Sequence, residues 1–453
     1  MPSLAPPRRL LFGPGPTQVE PRVYDAMTKP VVGYLDPFFF EVVEEARRDL
    51  RVLFGTSNPL TIAISGTGSA GMETAVSNFA GPGTKLAVFV SGYFGDRIAE
   101  MGRRHGATIV RCEKPWGETF TEAEASEFLD RERPQLVAFV HAETSTGALQ
   151  SPRAITQPAH AVGALVIADC VTSLGGVPIE VDASGIDIAY SCSQKGLSCP
   201  PGLAPFTASP RALEQLRENT VWYLDLKMLA DYYDAHKYHH TAPISAFYAL
   251  REGLAAIMEE SAPKRYARHR RCHEDFVGRI EAMGLSMHVS PGHRIATLNT
   301  VRVPDGVDDA QVRRRLLADH SIEIAGGFGP LAGKIFRIGL MGPLASRENV
   351  ELFCSAFAAC LFDTPIPAKS APQPAEDTTP DPSMRRFTLT KTIEAAKLNP
   401  RTMRPLTPVK STIPYAAILE KLTRDRHLLR FYYLGEPYEC PQTDIESALE
   451  PLA

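Results

Sequence analysis

The chain has 453 residues, 44% of them apolar and 22% charged, with a formal net charge of −4. That length predicts two or three domains with cores of ordinary size, and the near balance of charge argues against nucleic acid or an anionic membrane surface as a partner. The eight cysteines occur singly, with no C-x-x-C pair, which speaks against a metal site and for a reducing, cytoplasmic setting.

Residues 1–20 read as an N-terminal arm. Its start is proline-rich and carries two arginines with no apolar stretch behind them, so no secretory leader is expected. No run anywhere is long enough to span a membrane. Residues 10–12 read as a strand running into Gly13-Pro-Gly-Pro16, a rigid backbone path suited to a loop beside a ligand. Across 38–54, Phe39, Val42, Val43, Ala46, Leu50 and Leu53 recur at helical spacing. A strand over 61–65 then leads through Gly66-Thr-Gly-Ser-Ala-Gly71 into a helix over 72–80. G-x-G-x-x-G after a strand marks a dinucleotide site only if an acid closes the next strand. The next strand, 86–90, ends in Ser91-Gly92-Tyr93, so that reading fails. What survives is a helix N-terminus whose free N–H groups can hold a phosphate. Tyr93 and Phe94 follow, and either ring can stack on a flat ligand. The strand over 136–141 runs into Glu143-Thr-Ser-Thr-Gly147, whose hydroxyls can reach a ligand. His141 reads as a packed strand end.

Residues 162–168 form another apolar run, with Asp169 at its end, where ligands bind in α/β sheets. A further apolar run, 186–190, precedes Ser191-Cys-Ser-Gln-Lys-Gly-Leu-Ser-Cys-Pro-Pro-Gly202. Lys195 stands there among small residues, and two readings fit it: a lysine capping a surface loop, or an amine in a lined cavity, where burial lowers its pKa and frees it to attack a carbonyl. A buried carboxylate needs a cation. A lysine and an aspartate, both at strand ends, are what a pyridoxal 5'-phosphate (PLP) site requires. Each motif follows a strand, and the strands alternate with helices, which predicts a mainly parallel, doubly wound α/β sheet.

Residues 211–237 mix helix and loop. His239 and His240 are adjacent, which is poor geometry for a shared metal ion. Residues 21–260 read as the large domain and 261–363 as a smaller α/β domain, in which Arg337 alternates out of an apolar strand and offers bidentate recognition of a carboxylate. Residues 364–384 are a Pro-rich linker. The remaining 385–453 comprise a basic stretch over 385–410 and three short strands, at 415–422, 427–434 and 437–440, with Gly435 at a turn; a small SH3-like β-barrel would fit them.

Seven segments, in order, resemble the class V aminotransferases of the serine–pyruvate, alanine–glyoxylate and serine–glyoxylate group. They are Gly13-Pro-Gly-Pro16, Ser65-Gly-Thr-Gly-Ser69, Glu143-Thr-Ser-Thr-Gly147, Asp169-Cys-Val-Thr-Ser-Leu-Gly-Gly176, Ser193-Gln-Lys195, Tyr238-His-His-Thr241 and Arg337-Ile-Gly339. The resemblance covers about residues 10–361 and leaves the C-terminal extension unmatched. It implies the fold type I of PLP-dependent transferases and a transaminase acting on a small amino acid and a small 2-oxo acid. Lys195 would form the Schiff base and carry the proton, and Asp169 would face the pyridine nitrogen. Thr67, Gly68 and Ser69 would hold the phosphate, Gln194 would contact the phosphate or orient the lysine, Phe94 would stack on the ring with Val171 nearby, and Thr144 would bond the phenolic oxygen. Arg337 and Gly15 would border the substrate. Tyr238 and Thr241 would reach the phosphate of the neighbouring subunit, which implies a homodimer. Two positions depart from the family pattern: Ser69 is smaller than usual and Tyr34 replaces a common histidine. Ureidoglycine–glyoxylate and 2-aminoethylphosphonate transamination remain alternatives. A cysteine desulfurase would need a cysteine before Arg337, and 304–336 has none. A non-catalytic scaffold is the reading furthest from these motifs.

Overall fold

A computed structural model of the chain describes residues 4–218 and 221–362, together with three strands nearer the C-terminus. The chain divides into two units, 1–366 and 367–453.

Seven strands build the main sheet of the first unit: β1 (Leu60–Ser65), β2 (Lys85–Val90), β3 (Thr108–Glu113), β4 (Leu136–Val140), β5 (Leu165–Asp169), β6 (Ile188–Tyr190) and β7 (Leu203–Ala208). Their spatial order is β1-β7-β6-β5-β4-β2-β3. All neighbouring pairs are parallel except those of β7, which runs against both β1 and β6. Every strand but β3 is almost wholly buried, as expected of a sheet covered on both faces, and their sequences are correspondingly continuous apolar runs. Edge strand β3 is half exposed. Helices Gly68–Phe79, Tyr93–Arg104, Glu122–Glu132 and Arg153–Ala161 follow strands β1, β2, β3 and β4 in the chain. Register then sets the site. Val140 pairs with Asp169 and Asp169 with Tyr190, so three strands end level and their following loops share one rim.

Two element boundaries differ most from expectation. The run 162–168 does not start as strand, because Val162 closes the preceding helix and Gly163 turns the chain at φ +83°. The helix expected at 72 begins at Gly68, since the small residues Gly68-Ser69-Ala70 form its first turn.

A second core, around Phe276, Val301, Leu316, Phe336 and Phe353, lies under an antiparallel sheet of β8 (Leu298–Arg302), β9 (Ala325–Gly326) and β10 (Ile335–Gly339), in the order β8-β10-β9. Helices Ala262–Ala282, Asp309–His320 and Arg347–Phe362 cover it. The N-terminal arm belongs here too. Leu10–Leu11 pairs in parallel with Ile322–Glu323, and Phe12 is buried in this core.

In the second unit, Leu419–Leu422, Leu428–Tyr433 and Glu436–Pro441 form a three-stranded antiparallel sheet in sequence order. The linker 364–384, the basic stretch 385–410 and the turn at Gly435 lie outside the described residues. Among the described residues no helix is long and apolar enough to cross a membrane.

Candidate active site

The loop after β6 is tied down before it presents Lys195. Ser193 Oγ donates to the carbonyl of Pro200 (2.6 Å), and buried Arg265 donates through Nη2 to the carbonyl of Gly196 (2.8 Å). Lys195 Nζ donates to Thr144 Oγ1 (2.7 Å) and Thr172 Oγ1 (3.0 Å). The side chain is 6% exposed, and burial lowers its pKa to about 8. Gly15 lies against it. A Cβ there would stand 2.9 Å from Lys195 Cγ, and its φ of +119° already favours glycine.

Asp169, the last residue of β5, is 1% exposed. Its Oδ1 accepts from the Val171 amide and its Oδ2 from the Tyr190 hydroxyl, each at 2.9 Å. Burial pushes its carboxyl up from the usual range despite these donors. Both donors are neutral, and among the described residues no cation forms an ion pair with Asp169.

Helix Gly68–Phe79 starts beside this pair. A Cβ on Gly68 would press on Cys192 Cβ (3.1 Å) and Val171 Cγ2 (3.2 Å), so the helix start sits close to both loops. Thr67 occupies its N-cap without a side-chain hydrogen bond to the helix. Ser69 Oγ accepts from Arg97 Nη1 at 3.3 Å. Gln194 Oε1 is buried without a hydrogen-bond partner. On the other side, Lys195 Nζ lies 5.9 Å from the centre of the Phe94 ring. That ring starts helix Tyr93–Arg104, whose first turn is clamped by a buried acid. Glu143 accepts from the Phe94 amide (Oε2, 3.2 Å) and from the amide and hydroxyl of Ser145 (Oε1, 3.0 and 2.6 Å), while Ser145 Oγ accepts from the Tyr93 amide (2.9 Å).

Arg337, on β10, reaches the same rim from the second core. It is 3% exposed, donating through Nε to the carbonyl of Gly326 (2.7 Å) and through Nη1 to that of Thr144 (3.2 Å). Burial lowers its pKa to about 10, leaving it charged at neutral pH. Among the described residues it has no ion pair.

The family model described as Aminotransferase class-V matches residues 9–330. The chain belongs to the class V aminotransferases. The alanine–glyoxylate aminotransferase of Callithrix jacchus is 38% identical over 371 residues, covering 80% of this chain and 90% of that protein. The (S)-ureidoglycine–glyoxylate transaminase of Bacillus subtilis (strain 168) is 36% identical over 382 residues, covering 79% and 92%. The crystal structure of an alanine–glyoxylate aminotransferase from Nostoc sp. superposes with a TM-score of 0.79 at 47% identity, covering 80% of this chain and 97% of that one. Class V aminotransferases are PLP-dependent enzymes that transfer amino groups, and the mostly parallel sheet seen here is the fold of that group.

Within this aminotransferase, the structure gathers Gly15, Thr67, Gly68, Ser69, Phe94, Thr144, Asp169, Val171, Gln194, Lys195 and Arg337 along one rim. Tyr238 and Thr241 make no hydrogen bond to them. Tyr238 is 60% exposed and packs on Tyr34 with ring centroids 5.1 Å apart. His141 is a packed strand end, its Nδ1 bonded to Ser173 Oγ at 2.9 Å and its pKa lowered to about 4 by burial. His239 and His240 turn to separate partners, the carbonyl of Tyr223 and Ser65 Oγ. Sequence reasoning missed Thr172, Tyr190 and the Glu143–Ser145 clamp. Thr172 and Glu143 stand inside quoted motifs. Tyr190 gave no signal, because a tyrosine ending an apolar strand looks like any other core residue.

Proposed function

We propose that this aminotransferase binds PLP at Lys195 and moves an amino group from alanine or serine to glyoxylate or pyruvate. One observation carries the reading: a buried, hydroxyl-held lysine amine shares its rim with a buried aspartate whose hydrogen-bond partners are both neutral. The residues fit the cofactor. Asp169 has the partnering that a protonated ring nitrogen completes. The Gly68 and Ser69 amides open an uncapped helix, and the orphaned Gln194 Oε1 beside Lys195 is a further polar contact for the group. Phe94 presents its ring 5.9 Å from the Lys195 amine.

PLP bound here supplies an electron sink for the electron pair left at the substrate Cα when its proton departs. The chain does the rest. Thr144 and Thr172 hold the Lys195 amine in place. Lys195, its pKa lowered to about 8, removes and returns the proton at the substrate Cα. Asp169 holds a proton at the ring nitrogen. Arg337 binds the substrate carboxylate and so fixes the orientation of the Cα–H bond. Val171 and Phe94 flank the ring space.

The acting unit is a homodimer. The exposed Thr241 borders a groove of about 380 Å³ with Val31, Val32, Gly33 and Tyr34, and Tyr238 packs on the Tyr34 ring. Exposed Val31, Leu35, Phe38 and Trp222 support a second copy on this face, with Tyr238 and Thr241 offered to the partner's phosphate. The seven described cysteines are all unpaired, which supports a reducing, cytoplasmic setting. The B. subtilis relative favours (S)-ureidoglycine as a second amino donor.

The test is the visible absorbance of PLP-loaded protein. Alanine or serine should bleach it and glyoxylate restore it, with rates ranking alanine, serine and ureidoglycine. Lys195→Ala should abolish turnover. Turnover at the wild-type rate in that variant would remove Lys195 from the reaction.

A further inference from the structure

Two part-exposed rings meet beside Arg337, one of them stacked on it. Its Cζ lies 3.9 Å above the centre of the Phe328 ring, and that ring lies 5.1 Å from the Tyr93 ring. The glycines on either side of Phe328 let that segment pack closely. A Cβ on Gly327 would stand 2.0 Å from the carbonyl oxygen of Leu331, and one on Gly329 (φ +46°) 3.1 Å from the Trp116 ring. Tyr93 is held from the other side, its amide donating to Ser145 Oγ. The rings are 38% and 37% exposed, so each has one side on the core and one toward solvent.

This arrangement fixes Arg337 in three directions. The carbonyls of Gly326 and Thr144 fix two directions in the guanidinium plane. Phe328 covers one face, where the ring quadrupole attracts the cation and water is kept off. The N–H donors still free all lie in that plane, the plane in which a carboxylate binds in bidentate fashion.

We propose that Phe328, braced by Tyr93, is a positioning residue for Arg337, one that tightens the binding of substrate carboxylates. The inference rests on Arg337 as the carboxylate anchor. Amino donor and oxo-acid acceptor present the same carboxylate, so Phe328 acts on both half-reactions alike.

The experiment uses full-length, PLP-loaded enzyme as wild type, Phe328→Ala, Phe328→Leu, Phe328→Tyr and Arg337→Gln. Steady-state rates give KM and kcat for alanine and for glyoxylate, and calorimetric titration with propionate gives a Kd for a bare carboxylate. Phe328→Ala should raise both KM values and the propionate Kd together, by about ten-fold, with kcat within about two-fold. Phe328→Leu should move them the same way, and Phe328→Tyr should restore them. Unchanged KM and Kd in the alanine and leucine variants, or a loss confined to kcat, overturns the proposal. Should the alanine variant fail to fold, the leucine variant decides by the same criteria. Arg337→Gln separates the two levels. If it leaves KM and Kd at wild-type values, the carboxylate anchor itself is wrong. If it raises them while the Phe328 variants do not, only the role of Phe328 falls.

Discussion

The Lys195 ammonium is buried beside two hydroxyls and, among the described residues, has no ion pair, so the folded protein releases its proton near pH 8. The unfolded chain holds that proton to about pH 10.4. Between those values the unfolded state binds more protons, so stability rises with pH. Below pH 8 the full burial cost is present, and above about pH 10.4 it is gone. Cofactor-free Lys195→Met should therefore unfold at a higher temperature than cofactor-free wild type at pH 7. The gap should close as pH climbs through that window, and a gap that stays constant would refute the burial account. Lys195, Asp169 and Arg337 were legible in the sequence because each is a charge set among apolar or small residues. Tyr190 was not. Its hydroxyl reaches Asp169 only because strands β5 and β6 pair in parallel with those two residues opposite each other, and no local pattern encodes that register.

Among the elements, the turn 143–147 governs a helix it does not belong to. Ser145 Oγ links the carboxylate of Glu143 to the amide of Tyr93, and burial pushes the Glu143 carboxyl up from its usual range. Ser145→Ala removes both bonds and leaves a buried acid and a helix-start amide short of partners. The expected cost is about 2 kcal/mol, read by urea unfolding, with weaker PLP retention because Phe94 sits in that first turn. Unchanged stability would mean that Glu143 and Tyr93 find substitutes. Strand ends and the loops after them were readable from apolar runs punctuated by glycine and hydroxyl residues. The start of helix Gly68–Phe79 was not. Gly-Thr-Gly-Ser-Ala-Gly has poor helix propensity, and tertiary packing against Cys192 and Val171 overrides it.

For the whole molecule, the exposed face around Val31 and Tyr238 sets the expectation of a dimer. At micromolar concentration the chain should sediment at twice the mass of one copy. Val31→Glu should shift it toward a monomer that retains PLP less well, since Tyr238 and Thr241 would then lose their partner. A wild type that sediments as one copy would end that reading. The alternation of strands and helices made the α/β sheet legible, and Arg337 pointed to the second core. The attachment of the arm was not legible, because Leu10–Leu11 and Ile322–Glu323 are two-residue strands too short to leave a periodic trace. That attachment has a consequence for how the protein is made. The Gly339 amide donates to the carbonyl of Phe12, and the Thr17 hydroxyl to that of Met341, 324 positions further along. Gly15, between them, is the residue that closes on Lys195. Contacts so distant in sequence form late, after the intervening chain has condensed. On the ribosome, this arm must wait for nearly the whole unit before it can settle. The lysine pocket is thus sealed only once residues 322–341 have been made, and a nascent chain halted before Ile322 would carry it open.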